Sequence, residues 1–419
     1  MENVLRRAVL AALALAVVTA PGLLAGTLTV RPGVPNNGGS ARYSGTHGLE
    51  VNVASPDRNP AFVQSSQPSA EGTYRVRFYV NPRNLTMTDG DEFDLFDAYD
   101  GADPTPPTVS GNAALRVVLR QTSGVLKLSA FVRLNNGSES QLATPVTLVR
   151  GWREVELNWA KSTAPGANNG RLDLWVDGVP QTSLTGLNND TEQVNYARLG
   201  AVSGIDNGTS GTFNLDDFVS QRTGYIGVIS VFADVPTSYP FWSFIQGLYA
   251  AEITGGCGGG NYCPNSNIPR DQMAIFLVRS IHGPAFVPPA PTGIFADVPT
   301  NAFAADFIEQ LFNDGITGGC GLPTLSYCPS DAVTRAQMAV FLLRSKHGRN
   351  YQPPPATGTV FPDVPANSFA AAWIEQLFAE GITGGCGGGL YCPGDSVTRG
   401  QMAVFITRAF AMPVQQTGP

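Results

Sequence analysis

Phe361–Arg408 reads FPDVPANSFAAAWIEQLFAEGITGGCGGGLYCPGDSVTRGQMAVFITR, and the same text begins twice more upstream, at Phe232 and at Phe295. Three copies in one chain expose the positions the pattern holds. These are Phe-x-Asp-Val-Pro, an apolar helical stripe, Ile-Thr-Gly-Gly-Cys-Gly, Tyr-Cys-Pro and Arg-x-Gln-Met-Ala. Phe232 to Ile253, Phe295 to Ile316 and Phe361 to Ile382 align without a gap, as do Cys263 to Arg270, Cys328 to Arg335 and Cys392 to Arg399. Length varies only between the paired cysteines and in the linkers, where a repeated unit tolerates insertion.

Each copy reads as helix, loop, helix. The first helix carries apolar residues at i, i+3, i+4: Ile245/Leu248/Tyr249, Ile308/Leu311/Phe312, Ile374/Leu377/Phe378. In copies two and three it meets a glycine, Gly315 or Gly381, suited to a left-handed C-cap. The second helix places Met273/Phe276/Leu277, Met338/Phe341/Leu342 and Met402/Phe405/Ile406 on one face. No single copy buries both stripes, so the three are expected to close a shared core. Pro-rich spacers, residues 283–293 and 348–358, join them.

All six cysteines fall in the copies, as Cys257/Cys263, Cys320/Cys328 and Cys386/Cys392. There is no Cys-x-x-Cys, and none of the three histidines, His47, His282 and His347, is repeated in all three copies, so metal is the weaker reading. One pair per copy points to three local disulfides, each worth about 2–2.5 kcal/mol in the chain-entropy model. That reading needs an exported chain, and the N-terminus supplies one. Arg6 and Arg7 precede an apolar run ending in small residues, a signal peptide expected over 1–25. After its removal no stretch is long enough to cross a bilayer, so the expected location is secreted, at the cell wall or cell surface. Of the 419 residues 43% are hydrophobic and 14% charged, with 47 glycines and 32 prolines, which suits turn-rich extracellular domains. A formal charge of −7 argues against nucleic acid as a partner.

Residues 26–222 have a different character. Runs such as TYRVRFYV (Thr73–Val80), ALRVVLR (Ala114–Arg120), VLKLSAFVR (Val125–Arg133) and RLDLWV (Arg171–Val176) alternate with period two between Asn- and Gly-rich turns. This predicts an all-β sandwich or jelly roll. Gly48–Val51, Trp152–Trp159, GRLDLWVDG at Gly170–Gly178 and Phe213–Val219 resemble the concanavalin A-like/laminin G-like superfamily.

Within it, Glu92-Phe93-Asp94-Leu95-Phe96-Asp97 is similar to the Glu-x-Asp-x-x-Glu strand of retaining β-glucanases. That resemblance implies Glu92 as nucleophile and Asp97 as acid/base, a pair that needs about 5–5.5 Å between carboxyls. Asp97 is one methylene shorter than the usual glutamate, and the plainer reading is a run of solvated carboxylates with no catalytic residue. Asp216 and Asp217 are oxygen donors of the type calcium takes, against the same plain reading as loop acids.

The repeated text resembles S-layer homology repeats: Phe-x-Asp-Val-Pro, Gly-Ile-Thr-Gly and Val-Thr-Arg-x-Gln are its motifs, here expected over 228–283, 293–348 and 360–412. The resemblance implies an all-α pseudo-threefold bundle that tethers exported proteins to cell-wall polysaccharide, often pyruvylated, in grooves between repeats. Thr334/Gln337 and Thr398/Gln401 read as capping boxes. The arginine beside them does not suit a helix N-terminus, where the macrodipole disfavours a cation.

Arg270, Arg335 and Arg399, with the backbone N–H groups of their helix N-termini, are therefore candidate receptors for a carboxylate or phosphate, with ion pairs to Asp234, Asp297 and Asp363 as the alternative. Where the family carries tryptophan, six residues after the aspartate, this chain has Phe303 and Phe369, and Pro240 with Phe241 and Trp242 adjacent. Those aromatics, with Asp234, Asp297, Asp363, Gln337 and Gln401, complete the expected polysaccharide site. Pro269 replaces threonine in copy one, leaving its box incomplete. The whole reads as a non-catalytic envelope protein whose sandwich binds a second glycan or a protein. A wall-tethered glycosidase and a structural surface-layer subunit are the rivals.

Overall fold

The computed structural model describes residues 28–32, 42–45, 47–53, 60–102, 112–321 and 324–418; the export segment expected over 1–25 lies outside them. The chain divides into two compact units, one built on residues 40–229 and the other on residues 230–415.

The first unit is a sandwich of two antiparallel sheets. One sheet runs β1 (Leu28–Pro32), β2 (His47–Val53), β15 (Ser210–Gln221), β4 (Thr73–Thr86), β10 (Arg153–Ala160), β11 (Gly170–Val176), β12 (Val179–Pro180), with β13 (Leu184–Leu187) also on β11. The other runs β3 (Ala61–Ser65), β14 (Tyr196–Ser203), β5 (Glu92–Asp100), β6 (Asn112–Thr122), β7 (Val125–Arg133), β8 (Glu139–Gln141), with β9 (Val146–Thr147) on β7. The alternation found in the sequence is the cause. Phe78 and Val80 on β4, Val117 on β6, Leu128 on β7, Trp159 on β10 and Leu172 on β11 point between the sheets and are fully buried. Each such side chain contributes about 1.5–3 kcal/mol of transfer free energy.

The outer face of the first sheet also carries charge. Glu156 on β10 accepts from the N–H groups of Ile226 (3.0 Å) and Gly227 (2.8 Å), and Arg77 donates to the Gly227 carbonyl (2.7 Å). These bonds fix the segment that leaves the sandwich.

Among the described residues the second unit holds six helices in three pairs: α1 (Trp242–Ala250) and α2 (Arg270–His282), α3 (Ala305–Asn313) and α4 (Arg335–His347), α5 (Ala371–Ala379) and α6 (Arg399–Ala409). Packing is cyclic. The second helix of each pair lies on the first helix of the next: α2 on α3, α4 on α5, and α6 back on α1. At the centre, Ile268 donates its N–H to the Val397 carbonyl, Val397 to Val333, and Val333 to Ile268, at 2.9–3.0 Å, a closed three-membered ring of hydrogen bonds.

Gly315 and Gly381 take positive φ (73° and 69°) just past α3 and α5, as the sequence predicts. In the first pair, which lacks that glycine, Glu252 adopts φ 61° instead. Cys257–Cys263, Cys320–Cys328 and Cys386–Cys392 are disulfides with Cα atoms 6.0 Å apart. Among the described residues no helix is long and apolar enough to cross a membrane.

Candidate functional site

The repeated arginine stands at the first position of the second helix in each pair, but its backbone is already engaged. The N–H of Arg270 donates to Asp331 O (3.0 Å), that of Arg335 to Asp395 O (2.9 Å) and that of Arg399 to Ser266 O (2.9 Å). The following N–H groups, of Asp271, Ala336 and Gly400, meet carbonyls of Pro329, Pro393 and Pro264. Thr334 and Thr398 cap the next N–H through the expected boxes, with Gln337 and Gln401 reaching back. The expectation that free helix N–H groups receive an anion is thus corrected, because the neighbouring pair's loop uses them.

The side chains lock the pairs together. Nε of Arg270, Arg335 and Arg399 donates to the carbonyl of Tyr327, Tyr391 and Tyr262 at 2.7, 2.7 and 2.8 Å. Each tyrosine returns its hydroxyl to the arginine's own carbonyl at 2.8–2.9 Å. The guanidinium carbon lies 4.7–4.8 Å from that tyrosine ring and 5.4–5.5 Å from a phenylalanine (Phe341, Phe405 or Phe276). Burial pulls each guanidinium below its usual range, opposed first by the facing tyrosine and then by acids farther off.

The alternative, an ion pair from arginine to Asp234, Asp297 or Asp363, is also corrected. Each aspartate spends both oxygens on backbone N–H groups of Tyr-Cys-Pro. Asp234 accepts from Tyr262 (2.8 Å) and Cys263 (2.7 Å), Asp297 from Tyr327 and Cys328 (both 2.7 Å), and Asp363 from Tyr391 (2.9 Å) and Cys392 (2.7 Å). The second cysteine of every loop has positive φ (57–58°), which turns these N–H groups toward one carboxylate. Asp297 also lies near Cys320 and Cys328 at ligand spacing, but their sulfurs are joined to each other.

One joint opens. Arg335 lines a cavity of about 260 Å³ with Phe241, Thr383, Gln401, Phe405 and Arg408, so all three copies contribute to its wall. Arg335 is 3% exposed, and its Nη2, like that of Arg399, is buried with no hydrogen-bond partner among the described residues; Arg335 is the one that borders this cavity. Arg408 reaches the Ile382 carbonyl at 3.4 Å, as Arg279 and Arg344 reach those of Ile253 and Ile316. Arg408 and Thr383 are not among the residues the sequence points to for this site. The repetition of Thr-Gly-Gly in all three copies was the available signal. Phe303 and Phe369 are 64% and 69% exposed. Trp242 is not available for stacking: it is 3% exposed, and its Nε1 donates to Ser230 Oγ (3.2 Å).

In the sandwich, Glu92 is half exposed beside Arg120 at 3.6 Å. Asp97 is buried and accepts from the Tyr99 hydroxyl (2.8 Å). Burial, with Asp94 adding to it, pushes its pKa up to about 8. A bulge between Asp94 and Phe96 in the register of β5 against β6 brings Asp94 onto the face Asp97 occupies, where Arg116 bonds Asp94 (2.7 Å). Asp216, one of the candidate calcium ligands, accepts from the N–H groups of Tyr43 (2.7 Å), Ser44 (2.9 Å) and Asp217 (2.8 Å). Asp217 accepts from the Ser44 hydroxyl, so the pair pins the turn at 42–45.

The S-layer homology domain model matches residues 231–274 and 360–403, the first and last helix pairs. Such a domain belongs to the cell wall or cell surface, and the match puts this chain there. The chain is 27% identical over 150 residues to an endoglucanase of Bacillus sp. (strain KSM-635), covering 34% of this chain and 15% of that one. It is 31% identical over 121 residues to a cell surface protein of Thermoanaerobacter kivui, covering 29% and 16%. The chain thus spans about a sixth of the length of these relatives. Among solved structures, the globular domain of T. cruzi calreticulin overlaps 48% of this chain and 80% of its own at 10% identity and a TM-score of 0.33, too loose a fit to carry an argument.

Proposed function

We propose that the helical unit holds the chain to an anionic cell-wall polysaccharide by taking a carboxylate of the glycan at Arg335. The observation that carries this is the buried, unpartnered Nη2 of Arg335 at the wall of an open cavity. A buried guanidinium with an unmet donor is costly, and an anion that supplies the partner recovers that cost through a charge-assisted bond. Phe241 and Phe405 line the same cavity and offer apolar faces to a sugar ring, while Thr383 and Gln401 offer polar atoms. We count the middle pair, residues 293–348, as a third S-layer homology repeat. Its arginine, tyrosine and aspartate make the same bonds as their counterparts.

The sandwich, of concanavalin A-like type in this reading, is the displayed part and binds a second glycan or a protein. We read it as non-catalytic. Asp97 is sealed beneath Tyr99, and Glu92 is turned to Arg120.

The test is co-sedimentation of the full chain with purified wall sacculi. Arg335→Lys keeps the charge and the aliphatic stem but loses the planar fork, and weakens binding by about tenfold or more. Helical ellipticity monitors folding. Equal retention of wild type and folded variant refutes the assignment.

A further inference from the structure

The three joints are built from the same residues, yet they end differently, and the difference traces to one substitution. In two copies the glutamine of the second helix is tied to its own N-cap. Gln337 Oε1 accepts from the Thr334 N–H (3.1 Å), and Gln401 Oε1 from the Thr398 N–H (3.2 Å). Gln401 is the copy of that glutamine lining the Arg335 cavity, where its amide is held off the arginine. In the first copy the N-cap is Pro269, which has no N–H to offer. Gln272 therefore keeps no capping partner, and its Oε1 accepts from Arg399 Nη1 at 2.5 Å. The amide oxygen thus sits where an incoming carboxylate oxygen would meet that guanidinium. The incomplete capping box of copy one acts not on its own arginine, Arg270, but across the ring on Arg399. Arg270 in turn passes its Nη2 to the Gly319 carbonyl at 3.4 Å.

We propose that Gln272 is an internal stand-in for the ligand at Arg399, committed to it by Pro269, and that restoring the cap opens a second carboxylate site. This rests on the reading of Arg335 as the receptor. With threonine at 269, the glutamine regains a backbone N–H to accept from, as its two counterparts do. Arg399, whose Nη2 already lacks a partner among the described residues as that of Arg335 does, is then left with its Nη1 free as well.

Two measurements on the full chain test this. Nitrogen-15 spectra of the arginine side chains need no ligand: Arg399 Nη should rotate slowly in the wild type and faster in Pro269→Thr and in Gln272→Ala. Calorimetry with a methyl hexoside carrying a 4,6-pyruvate ketal then counts sites. The wild type is expected to bind one equivalent, and each variant two. Fast rotation of Arg399 Nη in the wild type overturns the proposal. So does a single site in all three proteins when the spectra show the lock released. No binding by any of them removes the Arg335 reading and this inference with it.

Discussion

Asp363→Asn tests whether the aspartate of each repeat is a loop clamp. Its two oxygens accept separately from the N–H groups of Tyr391 and Cys392, and Tyr391 is the residue that locks onto Arg335. Asparagine keeps one acceptor oxygen and turns an NH₂ toward the other N–H. One charge-assisted bond, worth about 1.5–3 kcal/mol, is lost and one N–H is left unmet, so the substitution costs about 3 kcal/mol. For a unit of this size that lowers the melting midpoint by roughly 6–12 °C, read at the helical 222 nm band. The loss depends on pH. Burial raises the carboxyl's pKa, but the N–H groups of Tyr391 and Cys392, helped by the charge of Arg335, hold it below the usual range. A depressed native pKa stabilises fully above the unfolded value of about 3.9 and is lost as the pH falls through the native one. The gap between wild type and variant should thus be full at neutral pH and shrink in acid. A gap that is small, or equally large at every pH, would refute the clamp.

Two further outcomes follow from the same geometry. Replacing Cys386 and Cys392 together with serine should lower the stability of the helical unit by about 2–2.5 kcal/mol in urea titrations, as for any loop of this length. Asp97 has a native pKa raised to about 8, so its contribution is complete at acid pH and is lost as the pH rises from about 4 to about 8. Asp97→Asn should therefore flatten the decline of the sandwich's melting temperature over that range, followed by near-ultraviolet dichroism. Parallel curves for the two proteins would contradict the burial argument.

Much of the fold was legible because its signals are local. The stripe Met402/Phe405/Ile406, the cap Thr398/Gln401 and the alternation of Val125–Arg133 each lie within one element. β14 escaped because its residues from Tyr196 to Val202 are buried on both faces, which erases the period of two. The bulge that carries Asp94 around to Asp97 leaves no mark in composition. The arginine's partners were hidden for a different reason. Tyr391 lies 56 residues from Arg335, in the next copy, and Tyr262 lies 137 residues from Arg399. Repetition marked both positions as constrained but not which copy meets which. Trp242 stands two residues past the motif position, and nearness in sequence does not set depth: it is buried where Phe303 and Phe369 are exposed.

The circuit of hydrogen bonds through Ile268, Val397 and Val333 fixes the stoichiometry of the array. An open solenoid can lose or gain a unit at either end and still stack. Here the last unit must return to the first, so removing any one leaves two unmatched faces rather than one. Assembly must wait for the most distant segments to meet, which predicts slow, all-or-none folding of the helical half. It also lets an extra unit join only by breaking the circuit, which protects the trio from growing into fibres.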